Sequence, residues 1–436
     1  MLPFHLLALL PLVSRVVSEQ KSSKLLGERD AEPTERMYIV ATKRDSQADV
    51  DSLISLIAVK PDQTYDYAIR GFAARLTEEQ KKKLEKDSRV AYVSLDREIT
   101  NPSRIKDELK GSSTYTEKEL KLSTREMTTE TKSRNSKRKR FQRLRFRPKI
   151  GDMRKKIQRN APWGLARLSH ERPRHTSYHY FTNAGAGVCV YVIDSGLDQS
   201  HPEFGGRARL VRNFSTDESS RDFHGYGTHV AGIVGSATYG VAKKAKIFGV
   251  KVVNRNKAAR LSRIIAAMNF VIGDAAARRE ECYYGVVANM PIFTEFSQPI
   301  NEAAQRMVKS NIFLAVAAGD DERNARLASP ASEFHACTAG ATDKKDVFAS
   351  FSNWGSMLNV LAPGVNIMST TPGGGTTIAS GTSQASAHLA GLGAYLMSIG
   401  QSTSHLCDSI AQIAVKDAVR WTSPTTPNLL INNGFR

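Results

Sequence analysis

The sequence lacks an apolar run long enough to cross a membrane. No stretch reaches the about 18 apolar residues that a spanning helix needs, so we expect no transmembrane segment. A shorter run at residues 2–13 is typical of a secretory signal, which we place at residues 1–18, although no charged residue precedes it. A short anchor or a buried helix is the alternative for this run. The signal predicts a secreted or extracellular-surface protein.

Cysteine is scarce, with four residues in the 436, and no two of them form a C-x-x-C arrangement. A zinc site is therefore not expected, and we predict no residue as a metal ligand. In a secreted chain an even number of cysteines favours disulfide bonds, and four allow three pairings that spacing alone cannot separate. The four are Cys189, Cys282, Cys337 and Cys407.

Acidic residues are almost absent between residues 132 and 159, where fourteen Lys and Arg accompany one Asp in a chain of net charge +19. Such a run repels itself and predicts a solvated linker, placed at residues 101–159. The only aromatic residues in this run are Phe141 and Phe146, which are too few for a nucleic-acid site. We therefore expect no specific nucleic-acid binding. Acidic polymers remain candidate partners. The tetrabasic stretch that ends at Arg140 predicts a processing site for a basic-specific peptidase.

The two halves of the chain differ in their periodicity. Residues 36–99 alternate short strands with helical stretches, which predicts a small α+β domain at residues 19–100. From residue 160 onward, near-continuous apolar strands alternate with helices. This pattern predicts an α/β domain at residues 160–436, with a doubly wound, mostly parallel sheet. Ligands of such sheets bind at the carboxyl ends of the strands.

Polar side chains stand at these strand ends and helix starts. Asp194 follows the apolar stretch V-Y-V-I, and Ser383 begins an apolar helix, where an anion is favoured. Between them, His224 and His229 lie in the stretch DFHGYGTHVAG, residues 222–232. An Asp, a His and a Ser in this order indicate acyl transfer.

These segments resemble the three signature motifs of the subtilases, in particular their proteinase K branch. The matching stretches are D-S-G from Asp194, G-T-H-V-A-G from Gly227 and G-T-S ending at Ser383, while A-P-W-G-L at residues 161–165 is similar to the mature amino terminus. Residues 36–99 resemble the inhibitory propeptide of the same enzymes. The resemblance implies a subtilisin-like serine endopeptidase made as a zymogen, with its own propeptide as a partner. It also implies disulfides from Cys189 to Cys282 and from Cys337 to Cys407.

The chain departs from the family at the catalytic positions. In the family the first histidine of H-G-T-H-V-A-G is the base, and Tyr226 occupies that position here. A phenol with a reference pKa of about 10 is a poor base at neutral pH. Asp320 replaces the oxyanion-hole asparagine of the family's A-A-G-N segment, and a carboxylate offers acceptors where a donor is needed. Asp194 and Ser383 keep the family's triad positions, and we expect them to serve as structural residues.

Both walls of the substrate cleft also differ from the family. The family's glycine-bearing strands let a peptide approach, whereas proline cannot donate to an added strand and larger side chains fill the space of the glycines. The residues of the two walls are Pro291, Ile292, Phe293 and Thr294 on one side and Ala258, Ala259 and Arg260 on the other.

The family's strong calcium site is altered as well. Asn359 stands in place of an aspartate that helps hold the ion. Backbone carbonyls can bind calcium without a sequence signal, so calcium stays open as a ligand, and no cofactor is required.

His224 and His229 are the two alternatives for the missing base. His229 lies about one helical turn from Tyr226, but it matches the family's second, structural histidine, and His224 falls in a variable loop. Base, oxyanion donor and cleft walls have changed together. We therefore predict a pseudopeptidase that binds a protein or peptide partner. The alternatives are an active serine endopeptidase with an altered triad, and a cationic surface or coat component bound to acidic polymers.

Overall fold

The computed structural model describes residues 35–43, 47–100 and 153–435. The predicted signal at residues 1–18, the greater part of the predicted linker and Arg140 lie outside these residues. Among the helices of the described residues, none is both long and apolar enough to cross a membrane.

The amino-terminal domain packs two helices against one face of an antiparallel sheet. Its elements are β1 (Arg36–Thr42), α1 (Gln47–Ile57), β2 (Gln63–Tyr65), β3 (Gly71–Leu76), α2 (Glu78–Glu85) and β4 (Val90–Leu95). The strand order is β2-β3-β1-β4. Thr77 caps α2, because Thr77 Oγ1 accepts from Gln80 N (3.2 Å) and Gln80 Oε1 accepts from Thr77 N (2.9 Å). This domain has the α+β architecture expected from the sequence.

A nine-stranded sheet forms the centre of the second domain. Its strands are β8 (Val188–Asp194), β9 (Ala208–Asn213), β10 (Lys246–Lys251), β12 (Gly285–Met290), β14 (Ile312–Ala317), β16 (Cys337–Thr342), β17 (Val360–Pro363), β20 (Val415–Lys416) and β21 (Leu429–Leu430). The order is β20-β21-β17-β16-β14-β12-β8-β10-β9, and only the β20–β21 pair is antiparallel. All carboxyl ends of the parallel strands therefore meet at one edge of the sheet.

Helices cover both faces of this sheet. They are α3 (Trp163–Leu168), α4 (Tyr226–Gly235), α5 (Leu261–Ala277), α6 (Gln298–Lys309), α7 (Thr382–Ser398) and α8 (Leu406–Ile413), with short 3₁₀ turns at Pro202–Phe204 and Ala325–Leu327. The cores on the two faces contain α4 and α7 on one side and α5 and α6 on the other. Every residue of α7 is buried. The doubly wound α/β fold predicted from the sequence is confirmed.

Short ribbons complete the fold. They pair β5 (Glu98–Thr100) with β11 (Ala258–Arg260), β6 (Lys155–Gln158) with β7 (Tyr178–Phe181), β13 (Thr294–Glu295) with β15 (Ala328–Ser329), and β18 (Ile367–Thr371) with β19 (Gly375–Ala379). The β6 strand lies within the stretch that the sequence analysis placed in the linker. Residues 155–158 are ordered because β7 satisfies their backbone groups, and Met153 packs against the core.

Two disulfides tie the sheet to its surroundings. Cys189 of β8 is joined to Cys282, which follows α5, and Cys337 of β16 is joined to Cys407 of α8. This is the pairing that the family resemblance implied.

Candidate active site

Asp194 is the last residue of β8 and is fully buried. Its Oδ1 atom accepts a hydrogen bond from the backbone nitrogen of Ser195 at 2.6 Å. The parallel register places Lys251, the last residue of β10, beside Asp194. Lys251 Nζ donates to the carbonyl oxygens of Ser195 (2.7 Å) and Val253 (2.8 Å) and lies 3.3 Å from a carboxylate oxygen of Asp217. Buried charges of both signs therefore surround the end of β8.

Lys251 was not among the residues predicted from the sequence. Burial lowers its pKa below the ordinary value, although the carboxylates of Asp217, Asp222 and Asp194 oppose that shift. A single lysine inside the apolar stretch I-F-G-V-K-V-V was the signal that could have found it, because a buried cation needs a partner.

Asp222, also missed from the sequence, joins the end of β8 to the start of α4. Its buried carboxylate accepts from Ser195 Oγ (2.7 Å), Gly225 N (2.9 Å), Thr228 N (2.9 Å) and Thr228 Oγ1 (2.7 Å). Gly225 adopts a left-handed conformation, with φ of 78°, immediately before the helix. This network holds Tyr226, the first residue of α4, at the end of β8.

Tyr226, which the resemblance assigned to the position of the family's catalytic histidine, is half-buried. Helix α4 approaches the end of β8 so closely that a Cβ atom on Gly227 would clash with the carbonyl oxygen of Gly196. The centroid of the Tyr226 ring lies 5.7 Å from that of His224 and 5.6 Å from Nζ of Lys257. The negative face of the aromatic ring attracts the Lys257 cation, which helps to hold the two side chains together.

Ser383 is the second residue of α7 and is 2% exposed. Its Oγ atom donates a hydrogen bond to the carbonyl oxygen of Pro291 at 2.9 Å. Pro291 follows β12, which runs beside β8 with Asn289 opposite Val192. Ser383 therefore lies at the end of the strand adjacent to that of Asp194. A carbonyl oxygen cannot remove the hydroxyl proton at neutral pH, so this bond holds the serine without activating it.

Asp320 follows β14 and lies against the first turn of α7. Its Oδ1 atom accepts a hydrogen bond from Thr382 N at 2.8 Å, and Gly319 N donates to Thr382 Oγ1 at 3.0 Å. The side chain is 2% exposed. The helix amino terminus favours negative charge, and the Asp320 carboxylate meets that preference by capping it.

One wall of the cleft is filled by side chains. Ile292 and Phe293 are 1% and 6% exposed. A Cβ atom on Gly319 would lie 3.4 Å from Phe293 Cδ2, so the ring packs against the Gly319 backbone. Thr294, in β13, pairs with Ser329 of β15. Thr294 therefore pairs within the domain.

The other wall carries a strand of the amino-terminal domain. In the antiparallel β5–β11 pair, Ala258 lies opposite Thr100 and Arg260 lies opposite Glu98. The Arg260 guanidinium lies 3.5 Å from the Glu98 carboxylate. Strand β11 therefore accepts an added strand, and the chain itself supplies one.

Asp96 fastens this strand to the amino terminus of α5. Its carboxylate accepts from Ser262 N (2.9 Å) and Ser262 Oγ (2.7 Å), and Arg97 O accepts from Leu261 N (3.1 Å). Burial raises the pKa of Asp96, although the bonds from Ser262 oppose that shift. The contact places a carboxylate where the helix has unpaired backbone donors.

A second contact lies further along α5. Asn269 Oδ1 accepts hydrogen bonds from the backbone nitrogens of Asp66 (2.9 Å), Tyr67 (2.6 Å) and Ala68 (3.1 Å), and Tyr65 OH donates to Ser262 O at 3.0 Å. The face of the amino-terminal sheet that its own helices leave uncovered shares one apolar core with α5. The two domains are thus docked over an extended surface.

The two histidines considered as replacement bases, His229 and His224, lie within hydrogen-bond distance of backbone carbonyl oxygens. His229 is fully buried, with Nε2 lying 3.1 Å from Ile367 O and 3.3 Å from Thr377 O. Burial lowers its pKa to about 4. His224 Nε2 lies 3.1 Å from Asn254 O. Both rings therefore bond to backbone carbonyls of neighbouring segments.

Asn359, which the resemblance assigned to a calcium ligand of the family, does not fit a strong cation site. Asn359 Oδ1 accepts a hydrogen bond from Thr338 N at 2.8 Å, and the amide carries no charge. Within the described residues, no group of three or more His, Cys, Asp or Glu side chains is arranged to hold a metal ion. Calcium prefers charged oxygen ligands, which this position does not supply.

A carboxylate at the end of a buried parallel strand and a serine at the start of a buried helix define the architecture of a subtilisin-like serine peptidase domain. The chain belongs to the subtilase family: residues 185–435 match the model of the Subtilase family (Peptidase_S8), and residues 31–100 match that of Peptidase inhibitor I9. The amino-terminal domain is thus an I9-type propeptide domain, as the resemblance implied. We call it the prodomain.

Several relatives and a solved structure resemble this chain. Proteinase R of Parengyodontium album is 40% identical over 438 residues, which cover 99% of this chain and 98% of that protein. Proteinase T of the same organism is 48% identical over 277 residues, covering 64% of this chain and 94% of that protein. A cuticle-degrading protease of Metarhizium anisopliae is 37% identical, covering 99% and 100%. The crystal structure of a cold adapted subtilisin-like serine proteinase aligns with a TM-score of 0.59 at 35% identity, covering 63% of this chain and 98% of that one.

Proposed function

We propose that this chain is a secreted subtilase homologue that has lost normal peptide-bond hydrolysis and binds polypeptide. The observation that carries the proposal is the hydrogen bond of the Ser383 hydroxyl to the carbonyl oxygen of Pro291. An activated serine donates its proton to a base, and the family's base position holds Tyr226. Without the base, about 1,000- to 10,000-fold acceleration over water is the most that a subtilase site retains.

Asp320 opposes catalysis independently of Tyr226. Removing one oxyanion-hole donor lowers turnover by about 100- to 1,000-fold. A carboxylate bonded to Thr382 N goes further, because it adds a negative charge where the reaction would develop one. Restoring a histidine alone would therefore leave the oxyanion position unfavourable.

The cleft supports binding on one side. Strand β11 accepts an antiparallel strand, whereas Phe293 and Ile292 close the opposite wall. Addition of a strand provides backbone hydrogen bonds without the need for a catalytic group. The prodomain segment at residues 98–100 is the first such partner, and a protein or peptide that displaces it would be the next.

The domain layout that we propose follows the sequence prediction except at one boundary. It comprises a signal at residues 1–18, a prodomain at residues 19–100, a basic linker with a processing site at Arg140, and a subtilisin-like domain that continues to residue 436. The β6 strand supports starting that last domain near residue 153 rather than at 160. Secretion is supported by the two disulfide bonds.

The experiment is reaction of the purified full chain with a fluorophosphonate probe, which labels only an activated serine. The variants are Ser383→Ala, Tyr226→His, and Tyr226→His combined with Asp320→Asn. We expect no labelling of the wild type and the strongest gain in the double variant. Labelling of the wild type that Ser383→Ala abolishes would overturn the proposal.

The second candidate function is an active serine endopeptidase with an altered triad. Full-length relatives whose names describe proteases, at 37% and 40% identity, favour it. Under this alternative the wild type reacts with the probe, and a purified preparation free of other proteases yields an amino terminus near residue 161. An inactive chain keeps its prodomain joined or is cut near Arg140 by another peptidase.

A further inference from the structure

A cavity of about 590 Å³ lies on the surface of the subtilisin-like domain, and six of its nine lining residues are Arg or Lys. Three loops form it: the segment between α3 and β7, the turn after β16 and the segment between β20 and β21. Trp163 forms one wall. The exposed cationic side chains are Arg172, Arg174, Lys344, Lys345 and Arg420. Among the described residues that line the cavity, none has an acidic side chain.

The innermost cation is already neutralised. Arg167 is buried and makes two hydrogen bonds with the Asp346 carboxylate, at 2.8 and 3.1 Å. Four of the exposed cations, Arg172, Arg174, Lys344 and Lys345, form no ion pair with acidic side chains of the residues that the structure describes. The positive charge of the outer part of the cavity is therefore available to a ligand.

The walls of the cavity are held in place by hydrogen bonds. Arg420 N donates to Asp346 O at 2.8 Å, and Phe348 N donates to Arg420 O at 3.0 Å, so two of the three loops are joined. Trp163 Nε1 donates to Asn366 O at 3.1 Å and fixes the ring. A site formed before binding needs less ordering of its side chains and loops.

Two residues beside the cavity adopt conformations that non-glycine residues rarely adopt. The φ angles of Arg174 and Trp421 are 74° and 63°. Left-handed backbone of this kind is unfavourable, and it concentrates at functional sites where the surrounding structure maintains it. At Arg174 it belongs to a residue whose side chain lines the cavity.

Two histidines at the cavity lie in the positive environment that its arginines and lysines create. The rings of His170 and His175 are stacked with centroids 3.9 Å apart. Burial lowers the pKa of His175, and the charges of His170 and Arg167 lower it further. Additional positive charge is therefore unfavourable there, whereas a bound anion would be stabilised.

We propose that this cavity binds a multivalent oxyanion, carried by an acidic polysaccharide with sulfate or carboxylate groups. Arginine pairs bidentately with such groups, and the volume falls within the range of about 300 to 1,000 Å³ usual for ligand sites. A single tetrahedral ion would contact only part of the five cations. A single-stranded nucleic acid would need successive aromatic platforms, and the lining provides one aromatic ring, that of Trp163, and one imidazole.

The test is hydrogen exchange of the full chain with and without a sulfated tetrasaccharide, read at residues 163–177, 343–348 and 417–421. A local readout is needed because the basic run at residues 132–152 also attracts polyanions. We expect slower exchange in these three segments. The variant Lys344→Glu/Lys345→Glu abolishes that protection and weakens affinity about tenfold or more, since two attractive charges become repulsive.

The matched control is Arg279→Glu/Arg326→Glu, which makes the same change in net charge at exposed residues outside the cavity. It keeps the protection. Equal loss of protection in the two variants would mean that only the overall charge of the chain matters. Exchange that the tetrasaccharide leaves unchanged in the three segments would mean that it binds elsewhere. Either result overturns the proposal. Protection by a single-stranded oligonucleotide or by pyrophosphate, but not by the tetrasaccharide, rejects the polysaccharide. Lys344→Gln/Lys345→Gln repeats the test without charge reversal if the first variant folds poorly.

Discussion

The Oδ1 atom of Asp320 lies 2.8 Å from the backbone nitrogen of Thr382, so that a carboxylate caps the amino terminus of α7. A helix amino terminus attracts negative charge, and in an acyl-transfer site that attraction stabilises the reaction intermediate. In this chain the Asp320 carboxylate already provides the negative charge at the amino terminus of α7. Under the proposed function, the feature that opposes catalysis also contributes to stability.

Replacing Asp320 tests whether its carboxylate stabilises the fold by capping α7. Asp320→Asn keeps an acceptor for Thr382 N but removes the charge, so we expect the free energy of unfolding to fall by about 1 kcal/mol. Chemical denaturation of the purified chain measures the change. The control is Asp321→Asn, which loses a partly exposed ion pair with Arg323 at 3.3 Å and should change stability by less than about 1 kcal/mol. A neutral or stabilising Asp320→Asn would contradict the capping role.

Phe293 should contribute more to stability than other aromatics near the surface. Because it is 6% exposed and packs against Gly319, Phe293→Ala should lower the free energy of unfolding by about 3 to 5 kcal/mol. Phe334→Ala is the control, since that ring is 74% exposed and its loss should change stability by about 0.5 kcal/mol or less. Equal effects in denaturant titrations would show that Phe293 does not fill the cleft wall.

Asp96 should govern docking of the prodomain. Asp96→Ala removes two hydrogen bonds to Ser262 and leaves the amino terminus of α5 uncapped, which should weaken docking by about 2 kcal/mol. Hydrogen exchange of residues 258–264 in the intact chain should then rise about 30-fold. Glu98→Ala is matched to it, because that residue makes only an exposed ion pair with Arg260, at 3.5 Å. We expect at most about a fivefold rise there, and a comparable rise in both variants would refute the role of Asp96.

Buried histidines should make the subtilisin-like domain sensitive to acid. Burial lowers the pKa of both His229 and His388 to about 4, below the ordinary histidine value of about 6.5. The unfolded chain therefore takes up protons below about pH 6.5 while the folded chain resists until about pH 4, so stability falls as the pH drops through this window. Denaturation at a series of pH values measures the slope.

His229→Gln should reduce that slope by up to about 1.4 kcal/mol per pH unit, because one of the two groups no longer titrates. The readout is the slope, so a loss of absolute stability in the variant does not obscure it. Asn256→Gln, at an exposed residue that does not titrate, should leave the slope unchanged. If His229→Gln also leaves it unchanged, protonation of His229 is not part of the acid response.

Much of the fold could be read from local patterns. The apolar strands V-C-V-Y-V-I and I-F-L-A-V-A are buried on both faces and lie in the central parallel sheet, as continuous apolar runs predict. The strand at residues 155–158 could not be predicted from the sequence, because K-K-I-Q has no apolar periodicity. Its order comes from backbone pairing with β7, which a side-chain pattern does not reveal.

The sequence by itself determined the candidate site residues Asp194, Tyr226, Asp320 and Ser383, because each lies in a short contiguous motif that resembles one of the family. Only the tertiary structure decided what those residues contact. Ser383 bonds Pro291, and Asp96 bonds Ser262, across separations of 92 and 166 residues. Likewise, the cationic cavity gathers side chains from three loops. Such contacts depend on how strands and helices pack, and residues brought together by packing carry no shared pattern along the chain.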